Sequence, residues 1–300
     1  MTDARRLGFI GLGNIGGGVS ANLVADGHQV TVYDADRTRV EKLVAGGAEG
    51  AANPAEVAAA SEITFLSLPS PAIMQNVAAE WLEGAGGNGK VLVDLTTNSP
   101  ATVRAVGARL AGAGARLLEA PVTGGAIGAR NRTLVFIIGG DPELVHRVVP
   151  LLETIGRGTY HLGPLGCGNV GKLVNSLMAF TTQVVAYEGL SLGARYDIDL
   201  RTLVEMLRFS GGAHSYLERR VEEINERGRP SDFTIDLATK DAGLMLEAGR
   251  DVAVPLPVAS AVHQTMVLAK AQGLGSHDIS DLVEVAERAL GVEHRLPPPA

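Results

Sequence analysis

Cysteine is nearly absent from this 300-residue chain, in which Cys167 is the single example. One thiol excludes an intramolecular disulfide and a zinc site built from cysteines, and it fits a reducing cytoplasm. There is no basic run of five residues or more, and the formal net charge is -7 with a pI near 5.5. That balance argues against nucleic acid or an anionic membrane as the main partner and leaves small molecules. No apolar run approaches the ~18 residues that suggest a membrane span. The strand expected from Leu7 follows the N-terminus too closely for a hydrophobic signal segment to precede it. The sequon Asn131-Arg132-Thr133 would matter only in a secreted protein and is set aside.

What remains is 46% apolar and 20% charged, with mean hydropathy +0.16, a globular chain with room for two domains of ordinary size. Short apolar runs rich in β-branched residues alternate with alanine-rich amphipathic stretches through the first half. Strands are expected at Leu7 to Ile10, Val30 to Tyr33, Ile63 to Leu68 and Val91 to Leu95. Helices are expected at Gly16 to Asp26, Arg37 to Ala45, Pro54 to Ala60, Ala72 to Glu83 and Pro100 to Ala113. This alternation predicts a doubly wound, mostly parallel α/β sheet covered by helices on both faces. Two further strands, Arg116 to Ala120 and Leu134 to Gly140, extend the same domain, and a helix from Pro142 and a short strand near Tyr160 close it. From Gly168 the pattern becomes helical and stays so to about Leu290. The expected organisation is an α/β domain over 1–163, a long helix over 164–194 and an all-helical region over 195–300. The tail from His294, with three prolines, is expected to fray.

Gly11-Leu12-Gly13-Asn14-Ile15-Gly16 follows the first strand and opens a helix, the context in which a G-x-G-x-x-G pattern carries weight. Gly11 permits the tight turn, Gly13 lets the backbone approach a pyrophosphate, and Gly16 lets helix and strand pack closely. The free N–H groups of the helix N-terminus then face the phosphates. Asp34 stands eighteen residues past Gly16, where a carboxylate accepts from the adenosine ribose hydroxyls and repels a 2′-phosphate. NAD is therefore expected over NADP, although Arg37 and Arg39 keep the alternative open. Leu68-Pro69, and Thr96 and Thr97 in the segment Asp94 to Pro100, end the third and fourth strands at the edge where ligands of parallel sheets bind. Ser99 and Pro100 read as a helix cap, which leaves Thr96 and Thr97 for a ligand.

These segments, with Pro121-Val122-Thr123-Gly124-Gly125-Ala126, Gly168-Asn169-Val170-Gly171-Lys172-Leu173-Val174-Asn175 and Lys240-Asp241, resemble the β-hydroxyacid dehydrogenases, typified by 3-hydroxyisobutyrate dehydrogenase and tartronate semialdehyde reductase. The resemblance covers residues 7 to about 290. It implies an NAD(P)-dependent oxidoreductase that interconverts a short 3-hydroxy acid and its semialdehyde or ketone, with a dinucleotide-binding Rossmann domain over 1–163, an interdomain helix over 164–194 and an all-helical domain over 195–300 that serves the substrate and assembles the chain as a homodimer or homotetramer. It further implies that Thr123, Gly124 and Gly125 hold the substrate carboxylate, that Lys172 is the catalytic acid/base, that Asn175 contacts substrate beside Ser176, and that Lys240 reaches the nicotinamide.

Elementary chemistry supports the same roles. Consecutive glycines let backbone N–H groups converge on an anion. Hydride loss from an alcohol needs a base for the hydroxyl proton, and the reverse reduction needs an acid. Lysine serves both when burial or a nearby cation brings its pKa from ~10.4 toward ~7–8. Spacing places Lys172, Asn175 and Ser176 on one helix face, opposite an apolar row of Val170, Leu173 and Val174. Taken alone, Lys172 reads as a surface lysine, and Lys240 as an ion-pair partner of Asp236.

Four positions depart from the family pattern. Thr123 replaces a usual serine, Ser176 a second asparagine and Ile15 a methionine. Arg132 stands where glycine is common, either incidentally or to recognise a second acidic group. An imine reductase on the same scaffold typically carries aspartate or tyrosine in place of the lysine, and a 6-phosphogluconate dehydrogenase carries histidine in place of Asn175. A non-catalytic interaction module tends to lose the lysine. The histidines show no ligand spacing, and no metal is expected. Phe209, His214 and Phe233 are candidates for the side-chain pocket.

Overall fold

The computed structural model describes residues 4–85, 89–212, 230–291 and 294. It divides into two compact units, Met1–Lys172 and Leu173–Ala300, with the division inside a helix and directly after Lys172.

The first unit is built on β1 (Arg6–Ile10), β2 (Gln29–Tyr33), β3 (Glu49–Gly50), β4 (Ile63–Leu66), β5 (Val91–Asp94) and β6 (Arg116–Glu119). They form a six-stranded sheet in the order β3-β2-β1-β4-β5-β6, and every pairing is parallel. β4 and β5 are buried along their whole length, as strands covered by helices on both faces must be. The connecting helices are α1 (Asn14–Ala25), α2 (Arg37–Val44), α3 (Pro54–Ala60), α4 (Pro71–Ala85) and α5 (Pro100–Gly112). Asp36, Asn53 and Ser99 cap α2, α3 and α5 by accepting main-chain N–H groups in each first turn. Trp81 of α4 is fully buried and donates its indole N–H to Thr64 at 2.8 Å, so the largest core side chain leaves no polar atom unpaired.

The strand expected at Leu134 to Gly140 lies in a second sheet. β7 (Val122–Thr123), β8 (Leu134–Ile138) and β9 (Gly156–His161) form three strands in that order, antiparallel between β7 and β8 and parallel between β8 and β9. α6 (Gly125–Arg130) and α7 (Pro142–Thr154) complete this part. β3, β7 and α6 were not anticipated, because two-residue strands and a single-turn helix are too short to show a period.

α8 (Cys167–Arg195) leads into the second unit, with α9 (Leu200–Arg208), α10 (Ile235–Asp251), α11 (Pro257–Ala271), a 3₁₀ turn at Ile279–Leu282 and α12 (Val283–Leu290). The buried stripe of α8 in this unit is Leu173, Ser176, Phe180, Gln183, Val184, Tyr187, Leu190 and Ser191. This corrects the expected apolar row, since Val170 is 44% and Val174 is 55% exposed. Buried Gln183 and Tyr187 are held by the carbonyls of Ile279 and Ser280. His294, the first residue of the tail expected to fray, is buried, with its N–H and Nδ1 both directed at the Glu287 carboxylate, and residues 295–300 of that tail lie outside the described residues. No helix among the described residues is long and apolar enough to cross a membrane.

Candidate active site

The carboxyl ends of the parallel strands place the first group of candidates on one edge of the sheet. Gly11 follows β1 at φ +90°, and a Cβ there would lie 2.2 Å from the Ser67 carbonyl oxygen. A Cβ on Gly16 would lie 1.9 Å from the Gly11 oxygen and 2.8 Å from the Phe9 ring. Gly13 differs from both. It precedes α1 without any side-chain cap, and its missing Cβ would meet only Arg39 Nη1, at 3.8 Å. Two glycines are thus demanded by the protein's own packing. Gly13 instead leaves room beside the uncapped helix N-terminus through Asn14 and Ile15, the shape that admits a pyrophosphate. The residues present fit a dinucleotide.

Asp34, nine-tenths buried after β2, accepts the Leu12 N–H at 2.6 Å and the Asp36 N–H at 2.8 Å. It therefore fixes the glycine turn, a role its expected ribose contact did not include. Arg39 is held 3.5 Å from Asp34 and 3.3 Å from Asp36, and Arg37 reaches the Ala51 carbonyl. Thr96 is buried, and its hydroxyl accepts the Leu68 N–H at 3.0 Å, so it braces the Leu68-Pro69 turn. Thr97 is half-buried and Pro69 exposed.

Thr123 ends β7, and Gly124 and Gly125 follow at φ +119° and +64°, conformations that L side chains rarely adopt. Both glycines are exposed. Arg132 sits close by in sequence but is spent elsewhere. Its guanidinium lies 2.7 Å from Asp26 and donates to the carbonyls of Thr154 and Asn22. It braces the ends of α1 and α7, which answers the open question about a second acidic group. Its φ of +59° accounts for the glycine usual at this position.

Lys172 is half-buried one turn into α8. Three residues that carried no role in the sequence reading hold the start of that helix. Glu119, fully buried at the end of β6, accepts the N–H groups of Gly166 (2.5 Å), Gly168 (3.0 Å) and Asn169 (3.1 Å), and the Asn169 side-chain amide at 2.6 Å. The Asn169 oxygen accepts the Asn98 N–H at 2.7 Å, and Asn98 donates to Asp94 at 2.6 Å. Asp94 and Glu119 are neighbours in register on β5 and β6. Burial pushes Asp94 up to about 7 against its hydrogen bonds to Thr96 and Asn98, and burial likewise raises Glu119. An acidic residue closing an apolar strand, as in Leu117-Leu118-Glu119, was the available signal.

In the second unit Asn175 is exposed and Ser176 buried, so shared spacing did not give them shared surroundings. Lys240 pairs with Asp241 at 3.0 Å, while Asp236 takes Lys270 at 2.8 Å, contrary to the i,i+4 pair considered from sequence. His277, Asp281 and Glu284 bring ligand atoms within 4.8 Å of one another, a grouping the sequence reading did not find. Their pairings, His277 with Asp281 and Glu284 with Arg288, stand without an ion. Phe233 stacks on Phe180, Phe209 is exposed, and His214 lies outside the described residues.

Comparison with known proteins agrees with this geometry. Residues 6–163 match the family described as the NAD binding domain of 6-phosphogluconate dehydrogenase, and residues 166–286 match that described as NAD-binding of NADP-dependent 3-hydroxyisobutyrate dehydrogenase. The 2-(hydroxymethyl)glutarate dehydrogenase of Eubacterium barkeri is 34% identical over 97% of this chain and 98% of its own. The 3-hydroxyisobutyrate dehydrogenase of Pseudomonas aeruginosa is 33% identical over 95% and 97%. The solved 3-hydroxyisobutyrate dehydrogenase of Mycobacterium tuberculosis with L-serine superposes with TM-score 0.87 at 25% identity, covering 94% of this chain and 98% of that one. A glycine turn shaped for a dinucleotide, a lysine on the helix held at the end of β6 and relatives matched over nearly their whole length converge: the chain belongs to the β-hydroxyacid dehydrogenase family, NAD(P)-dependent oxidoreductases acting on CH–OH.

Proposed function

We propose that this enzyme interconverts a short 3-hydroxy acid and its semialdehyde or ketone, with NAD as the preferred acceptor and Lys172 as general acid/base. The observation that carries this reading is the placement of Lys172 one turn into α8, whose first turn Glu119 pins at the carboxyl edge of the sheet. When bound, the nicotinamide supplies the hydride acceptor. Gly13, Asn14 and Ile15 would hold its pyrophosphate, with Asp34 at the ribose and Leu68, Pro69, Thr96 and Thr97 toward the nicotinamide half. Main-chain N–H groups of Thr123, Gly124 and Gly125 hold the substrate carboxylate, and Asn175 and Lys240 complete the polar contacts. In oxidation the Lys172 amine takes the hydroxyl proton as the carbon gives up hydride. In reduction the ammonium returns that proton to the nascent alkoxide and stabilises its charge.

The negative charge of Asp34 and Asp36, with Arg39 already paired to both, supports NAD over a 2′-phosphorylated cofactor. Lys172 also separates this reading from an imine reductase. A second copy of the chain is the expected partner, in a homodimer or homotetramer, and the cytoplasm the expected compartment. The test is turnover with a panel of 3-hydroxyisobutyrate, L-serine and 2-(hydroxymethyl)glutarate, each with NAD and NADP. K172A is expected to lose turnover by about 10²–10⁴-fold with NADH affinity unchanged by fluorescence titration. Near-normal turnover in K172A, or none in the wild type with every substrate, would sink the reading.

A further inference from the structure

Glu119 is an unusual acid. It stands at the end of a core strand with no exposed surface, and no cation is among its hydrogen-bonding partners. Four N–H donors compensate it instead, three from the main chain at the start of α8 and one from Asn169. Helix starts have unsatisfied N–H groups and a partial positive charge, which a capping side chain from within the helix usually meets. Here the cap comes from a strand 47 residues earlier, so it does what a local cap cannot: it fixes the helix to the sheet.

Two glycines make the approach possible. A Cβ on Gly139 would sit 2.1 Å from Glu119 Oε1, and one on Gly168 would sit 2.7 Å from the Gly139 nitrogen and from the Ile137 oxygen. Asn169 then bridges two strand ends, donating to Glu119 and accepting from the Asn98 N–H. Rotation of the first turn of α8 is fixed at both polar atoms of one side chain, three residues before Lys172. On a helix that is one turn, so a change in this docking is passed to the Lys172 Cα with little loss.

We propose that Glu119 and Asn169 are positioning residues for Lys172: their buried hydrogen-bond pair sets the angle and depth at which the lysine meets the reacting hydroxyl. The proposal rests on the assignment of Lys172 as acid/base, and the experiment separates the two. E119Q keeps the acceptor for Gly166 and Gly168 but turns a donor toward the Asn169 amide. N169D keeps the acceptor for the Asn98 N–H but sets a second carboxylate against Glu119. In the double variant E119Q/N169D the new amide donates to the new carboxylate, so the side-chain pair is restored with its polarity reversed, while the main-chain N–H of residue 169, which Glu119 also accepts at 3.1 Å, still faces the amide and keeps the recovery partial.

Steady-state kinetics with the panel's best substrate and NAD, and NADH titration, are measured for these three variants, the wild type and K172A. Each single variant is expected to lose kcat by about 100-fold, the scale of a 1 Å misplacement of a reacting group, with KM and NADH affinity within about threefold. The double variant is expected to recover about tenfold of the loss. Wild-type kcat in E119Q, or a double variant no better than the poorer single, overturns the positioning role while an inactive K172A keeps the lysine's. An active K172A overturns the lysine's role first. If a single variant does not fold, a double variant that folds and turns over still supports the pair, and one that folds without turnover overturns it.

Discussion

Asp94 is fully buried and has only neutral donors, the N–H and side chain of Thr96 and the Asn98 amide, to compensate its charge. Its folded pKa is about 7 against an ordinary 3.8, with burial the main cause and the charge of Glu119 adding to it. The folded state therefore holds this proton more tightly than the unfolded chain. The resulting stabilisation is full below the unfolded value and is lost as pH rises through about 7, a change on the order of 4 kcal/mol. Glu119, also raised, acts with the same sign. Urea unfolding should accordingly show lower stability at about pH 8 than at about pH 5. D94N should flatten that slope, because the Asn98 carbonyl oxygen lacks a partner and can accept from the new amide after a side-chain flip. An unchanged slope in D94N would remove Asp94 as its source. Arg132 gives a second case at this scale. R132A should destabilise more than R132G by about 1 kcal/mol, since both lose the Asp26 pair but only glycine releases the positive φ. Equal losses would mean that the backbone there is unstrained.

The glycine turn between β1 and α1 shows why one motif contains two kinds of glycine. G16A drives a methyl into the Gly11 carbonyl and should lower the melting temperature whether or not cofactor is present. G13A has open space in the protein, so it should melt like the wild type yet bind NADH about tenfold more weakly, as an obstructed pyrophosphate requires. Equal melting temperatures for the two variants would refute the distinction. The motif's spacing was legible in sequence because each glycine obeys a local rule, and β1, β2, β4 and β5 were legible because buried parallel strands are continuous apolar runs. α3, capped by Asn53 and opened by Pro54, was expected with its observed bounds. The bracing bond of Thr96 was not legible because its partner, Leu68, is twenty-eight residues away. The anchoring of α8 was invisible for the same reason: Glu119 and Asn169 stand fifty residues apart, and only the sheet brings them together. The apolar row of α8 was misplaced because Val170 and Val174 are apolar yet exposed, while Ser176 and Gln183 are polar yet buried.

That exposed apolar row bears on the whole molecule. Along α8 in the second unit Val174, Met178, Val185 and Leu192 are 55–64% exposed, and Tyr196 just beyond it is 75% exposed. They recur at intervals of four and seven, which is one face of a helix. Their exposed positions on a 29-residue helix form a stripe rather than scattered singles, and apolar stripes of this kind are costly to leave in water. A second copy laying the same face antiparallel would cover both at once, because a two-fold interface is self-complementary. The double variant M178E/V185E sets like charges against each other across such an axis without touching the buried face of Leu173, Phe180 and Tyr187. Sedimentation velocity should then show the wild type as a dimer or tetramer and the variant as a smaller species with its circular dichroism unchanged. A variant that sediments like the wild type would show that assembly, if present, uses another face, and a monomeric wild type would show that the stripe has no such partner.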